Sequence, residues 1–127
     1  MTLQVESPNS LTGKQIMAIV IQAMKDHEPT VTELAAEVAK GARAGLKTAD
    51  IDIRMGPEGF NSEALDEYVS SLADFGYATK RSPLRLEQKG KSLLQGLIEK
   101  AYSTKKNEVQ QWAKVLGVSV EKLLGES

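Results

Sequence analysis

The feature that most constrains this chain is the run from Asn61 to Ile98, where the apolar spacing changes period twice. Asn61 and Ser62 are helix-capping residues and Glu63 falls in a first turn. Leu65, Tyr68, Val69, Leu72 and Phe75 then recur at helical spacing. Gly76 follows, the residue type that most easily takes the left-handed conformation ending a helix. Tyr77 to Arg81 and Leu84 to Leu86 have strand character, with Ser82-Pro83 turning the chain between them. From Lys89 to Tyr102 helical spacing returns through Leu93, Leu94, Leu97, Ile98 and Ala101. The expected local structure is helix, two short antiparallel strands, helix.

Upstream, Thr12 can cap a first helix running to about His27, ended by Pro29. It is apolar on nearly every side from Ile16 to Met24, as expected of a central core helix. The alternative is a contact between two copies through Met17, Ile21 and Met24. Thr30 and Glu33 fit a capping box opening a second helix, with Leu34, Ala35, Val38, Ala39 and Ala42 marking one face. Ile51 to Met55 alternates and predicts a strand, bounded by Gly56, Pro57 and Gly59 and placed as a third strand on the later hairpin. After Tyr102 the pattern predicts a helix from about Lys105 to Leu116 with Val109, Trp112, Ala113 and Leu116 inward. Gly117 stops it, and Ser119 caps a short last helix whose Leu123 and Leu124 close onto the core. Residues 1–10 read as a flexible leader, because Pro8, Asn9 and Ser10 discourage regular structure. The main domain then spans 11–102, and 103–127 form a helical extension packed on it.

The segment LADFGYATKRSPLRLEQKGKSLL resembles a stretch of many prokaryotic winged-helix regulators: a helix ending "L-x-x-x-G", a wing, and a closing "L-x-x-K-G-x-x-L" helix. GPEGFNSEALDEYVSSLADFG is similar to the "G-P-F-S-x-x-L" start of the preceding helix in some of them, and TVTELAAEVAK resembles the first helix of helix-turn-helix units. The resemblance implies a mainly α fold with a small antiparallel β-sheet, in the order two helices, strand, helix, two wing strands, helix, then C-terminal helices. It also implies a transcriptional regulator, acting as a homodimer on double-stranded DNA. Glu87 departs from the family pattern, standing where a capping Ser or Thr is usual. So does GARAGLKTADIDIRMGPEGF, which replaces the three- or four-residue turn of a DNA-binding helix pair. WAKVLGVSVEKLLG is similar to the tail of phage-repressor-type domains but lacks their preceding helices, and reads as a Gly-capped helix pair.

At 127 residues, with 41% hydrophobic and 26% charged residues, the chain suits one soluble globular domain. Its net charge of −1 conceals a reversal: seven acids to one base from Asp50 to Asp74, then eight bases to two acids from Lys80 to Lys106. Five of those bases, Lys80, Arg81, Arg85, Lys89 and Lys91, fall on or beside the hairpin, where they could neutralise phosphates. Arg85 should face solvent if Leu84 and Leu86 face the core, and Arg81 at the tip is placed to enter a minor groove. The helix before the hairpin argues differently. Its outward positions are Ser62, Glu63, Asp66, Glu67, Ser70, Ser71 and Asp74, with no Arg or Lys to grip guanine edges. The alternative function is therefore a protein-interaction module whose acidic face, Glu63, Asp66, Glu67 and Asp74, docks on a basic partner.

Catalytic chemistry is not expected. His27 is the sole histidine and suits a solvated place near a helix end, and cysteine is absent, so neither a metal site nor a cofactor is predicted. Asp50 with Asp52, and Asp66 with Glu67, lie in no recognisable motif. Gly13-Lys14 lacks the rest of a phosphate loop, and Gly56-Pro57-Glu58-Gly59 is not a dinucleotide fingerprint. No apolar run approaches the roughly 18 residues of a membrane span, and no signal peptide is recognisable, so a cytoplasmic protein is the expectation.

Overall fold

The structure, a computed structural model, describes residues 10–125, so the leader expected over 1–10 lies outside the described residues except for Ser10. The fold is mainly helical, with two small antiparallel sheets of two strands each.

Helix α1, Gly13–Ala23, is the axis of the molecule. A reciprocal cap starts it: Thr12 Oγ1 accepts from the Gln15 N–H at 3.2 Å and Gln15 Oε1 accepts from the Thr12 N–H at 3.0 Å. Every residue from Ile16 to Ala23 is buried, so Met17 and Ile21 are enclosed within this chain, while Met24 is half-buried just past the helix. The helix stops short of the expected His27. Residues 24–27 close in i→i+3 turns instead, and Glu28, just before Pro29, has a left-handed backbone at φ +43°.

Helix α2, Val31–Arg43, opens with the Thr30–Glu33 box and buries Leu34, Ala35, Val38 and Ala39. Ala42, expected on that face, is exposed, and Gly41 is buried there instead. The ring of Trp112 lies where a Cβ on Gly41 would project, so the absent side chain makes room for the largest residue of the core.

The next segment corrects the expected third strand. Strand β1, Arg54–Gly56, pairs with β2, Gly59–Asn61, in a sheet of its own, with Met55 opposite Phe60. The turn residues that bound the alternating run do not merely end it: Pro57-Glu58 reverses the chain, so Phe60 folds back on Met55 before the later hairpin is reached. The hairpin packs on α2.

Helix α3, Glu63–Asp74, ends in paired bonds: Gly76, at φ +79°, donates to the Ala73 carbonyl at 3.1 Å and Tyr77 to the Leu72 carbonyl at 2.8 Å. That termination turns Phe75 outward; it is 74% exposed, although it continues the apolar spacing. Strands β3, Ala78–Lys80, and β4, Arg85–Leu86, form the second hairpin, and α4, Gln88–Thr104, follows. Glu87 occupies the N-cap position of α4 without capping it, its carboxylate accepting instead from the Thr79 hydroxyl at 2.5 Å. Helices α5, Lys106–Leu116, and α6, Val120–Leu123, complete the fold, with Gly117 and Ser119 as stop and cap. Val109, Trp112, Ala113 and Leu123 belong to the same core as α1; Leu116 and Leu124 are half-buried against it. No helix among the described residues is long and apolar enough to cross a membrane.

Candidate functional site

The second hairpin presents cations because of an irregularity in its ladder. Ala78 pairs with Leu86 and Lys80 with Arg85, so two steps on β3 meet one step on β4. Residues two apart on a regular strand share a face, and a one-residue step changes face. The bulge at Thr79 reconciles the two. Ala78 and Leu86 turn to the core, whereas Lys80 and Arg85, directly opposite one another, are both exposed. Leu84, at 2% exposure, anchors the hairpin; its N–H donates to the Pro29 carbonyl at 2.8 Å.

Four of the five basic residues fall into two groups. Arg81 Nη1 donates to Ser70 Oγ of α3 at 3.0 Å, and Lys89 Nζ sits 5.6 Å over the Tyr77 ring, next to Gly76 at the end of that helix. Arg85 and Lys91 instead face the α1–α2 connection, where Arg85 Nε and Nη2 donate to the two carboxylate oxygens of Glu28 at 3.2 and 3.3 Å. Lys80 and Lys91 are exposed and make no ion pair among the described residues. The hairpin therefore keeps its positive charge at the surface, with Arg85 alone balanced by a carboxylate.

On α3, Glu63, Asp66, Glu67 and Asp74 are all exposed. Glu63 and Asp66 lie in the first turn, where a negative charge favours the helix dipole, and Arg54 Nη2 reaches Glu63 at 3.6 Å. Asp74 sits at the opposite, unfavourable end, so the dipole does not account for it. Ser62, placed outward by spacing alone, is 2% exposed because it is the cap, its Oγ accepting from the Leu65 N–H at 3.2 Å.

Asp52 has a role that its position in the sequence does not announce. From the loop before the first hairpin it accepts from the N–H groups of Glu63 at 3.0 Å and Ala64 at 2.9 Å, and from the Ser62 hydroxyl at 3.3 Å. Those bonds, led by the Ala64 amide, hold its carboxyl below the ordinary value of 3.8. Asp50 does not share this work: it lines a separate groove of about 480 Å³ with Lys14, Glu67, Tyr68 and Ser71. The Tyr68 hydroxyl there is buried without a partner, and burial pushes its pKa up to about 12, so it stays protonated at neutral pH. Among the described residues no group of three His, Cys, Asp or Glu stands together as a metal ion would require, and His27 is an exposed turn residue. Comparison of the chain with protein-family models, with curated proteins and with solved structures gives no match.

Proposed function

We propose that this protein is a non-enzymatic DNA-binding regulator of winged-helix type that holds duplex phosphates through the β3–β4 hairpin. The supporting observation is the bulge at Thr79, which gives Lys80 and Arg85 a common exposed face with Arg81 in the turn beside them. Cations spaced along a compact hairpin neutralise successive phosphates, and such contacts position a protein on a duplex without reading its sequence. Sequence reading by α3 has no support in its exposed acids, so affinity comes from the wing and its neighbours Lys89 and Lys91. A homodimer would draw on Met24, the half-buried member of the Met17, Ile21 and Met24 set.

The test is titration of a mixed-sequence duplex at two salt concentrations with wild type and Lys80→Ala/Arg81→Ala/Arg85→Ala. Each neutralised phosphate contributes about −0.9 to the slope of log affinity against log salt, so the triple variant is expected to flatten that slope by about 2 to 3. No binding at low salt, or an unchanged slope, overturns the proposal.

A second reading is favoured by one specific observation, the exposure of Phe75 at the end of the acidic helix. An aromatic anchor beside Asp74, with Glu63, Asp66 and Glu67 along the same helix, suits a protein partner with a basic rim around an apolar recess. Loss of a stable complex on Phe75→Ser, with duplex affinity unchanged, would separate this reading from the first.

A further inference from the structure

Beneath the second hairpin, between the α1–α2 connection and the start of α4, lies a cavity of about 320 Å³. Pro29 and Leu84, both buried and joined by the 2.8 Å bond from the Leu84 N–H to the Pro29 carbonyl, form its apolar floor. Lys25, Arg85 and Lys91 stand around it against Glu28, three positive charges to one negative, a net of +2. Neither Lys25 nor Lys91 makes an ion pair among the described residues. Glu28 holds a left-handed backbone, φ +43°, that non-glycine residues rarely adopt unless their surroundings impose it, and such strain gathers at binding sites.

We infer that this cavity binds a small organic carboxylate with an apolar tail. The Arg85 fork already meets a carboxylate side-on, that of Glu28, which shows the chemistry it accepts; Lys25 and Lys91 supply the charge to hold a second one. The tail lies on Pro29 and Leu84. The volume is near the lower end of small-molecule pockets, about 300 to 1,000 Å³, which limits the ligand to a short chain or a single ring. A bare inorganic anion would leave the floor uncovered, and a neutral tail would leave the lysines unanswered. The inference does not rest on the DNA reading: Lys25 and Pro29 belong to the α1–α2 connection, and only Arg85 and Lys91 are shared with the proposed phosphate contacts.

Hexanoate titrated into the full chain and followed by amide NMR tests this, with hexanol and inorganic phosphate as probes of tail and charge alone. Hexanoate is expected to give saturable shifts confined to the Lys25–Pro29 and Leu84–Lys91 segments, with hexanol and phosphate each about tenfold weaker. Lys25→Gln/Lys91→Gln, two surface substitutions whose retained fold is checked by its amide spectrum, should weaken hexanoate by about tenfold. Equal affinity for phosphate reduces the site to a surface anion patch, and equal affinity for hexanol to an apolar dent. Either result overturns the inference, as does absence of saturation or indifference to the double variant.

Discussion

The two hairpins are nearly the same length and are held in place by different physics. The first, β1 and β2, has a regular ladder and rests on α2, with Phe60 half-buried beneath Arg43, whose guanidinium carbon is 5.8 Å from the ring centre; Met55 across from it is 68% exposed. Its loop is tied to the fold by the polar bonds from Asp52 to the start of α3 and by Ile51, which is buried in the core. The second, β3 and β4, has a bulged ladder and is fixed by apolar burial at Ala78 and Leu84 and by the close passage of Gly90 under the Tyr77 carbonyl. Both are short antiparallel pairs with exposed outer faces. The hairpin with the irregular ladder is the one with the deeper anchor, and a deep anchor lets its outer face carry like charges.

Substitutions can break that comparison, beginning with the largest effect. Leu84→Ala should destabilise the protein by about 2 to 4 kcal/mol in urea unfolding, because it empties a core position that the hairpin alone supplies. An equal loss from Phe60→Ala would show that the first hairpin is as deeply anchored as the second. Next, Gly90→Ala should cost about 1 to 3 kcal/mol, since a Cβ would meet the Tyr77 backbone and push α4 away from the hairpin; a lowered melting temperature checks it.

Asp52→Ala comes third, at about 0.5 to 2 kcal/mol for loss of a helix cap, with Asp52→Asn smaller because an acceptor oxygen remains. The sign of its pH dependence follows from the depressed carboxyl. The contribution is complete above the unfolded-chain value of about 3.9 and is lost as pH falls through the lower folded value. Wild type should therefore lose more stability than Asp52→Asn in urea midpoints taken from pH 5 down to pH 2. Smallest is Met55→Ser, expected within about 0.5 kcal/mol of wild type, because a 68% exposed side chain has little burial to lose.

What could be read from the residues alone was whatever closes within a few positions. The Thr12 cap, the Thr30 box, the Gly76 and Gly117 stops and the Ser119 cap all satisfy their bonds three to five residues away, so a short window contains donor and acceptor together. Asp52 reaches α3 across 11 and 12 residues, and Arg85 meets Glu28 across 57; no local pattern carries either. The first hairpin hid behind an alternation over Ile51 to Met55 that overlaps its first strand, Arg54–Gly56, only at Arg54 and Met55 and gives no sign of what pairs with it. Phe75 and Ala42 kept the helical spacing of their neighbours but lie at the last turns, where the chain departs from the face that the period projects. Arg85 is exposed between Leu84 and Leu86 as alternation predicts, and the α3 acids are exposed as helical spacing predicts. Lys80, however, reaches the outer face only through the bulge at Thr79, and that Arg85 and Lys91 share a cavity with Lys25 depends on tertiary packing.

The position of α1 also bears on how the chain is made. Its surroundings are α2, which follows directly, and α4, α5 and α6, which come late in the sequence. A ribosome adding about 5 to 20 residues per second therefore releases the most apolar helix several seconds before its principal neighbours exist. In that interval Ile16 to Ala23 offers a sticky surface to chaperones and to other nascent chains, and only arrival of the carboxyl-terminal helices withdraws it. A product stalled or shortened before α4 to α6 is thus expected to accumulate in aggregates.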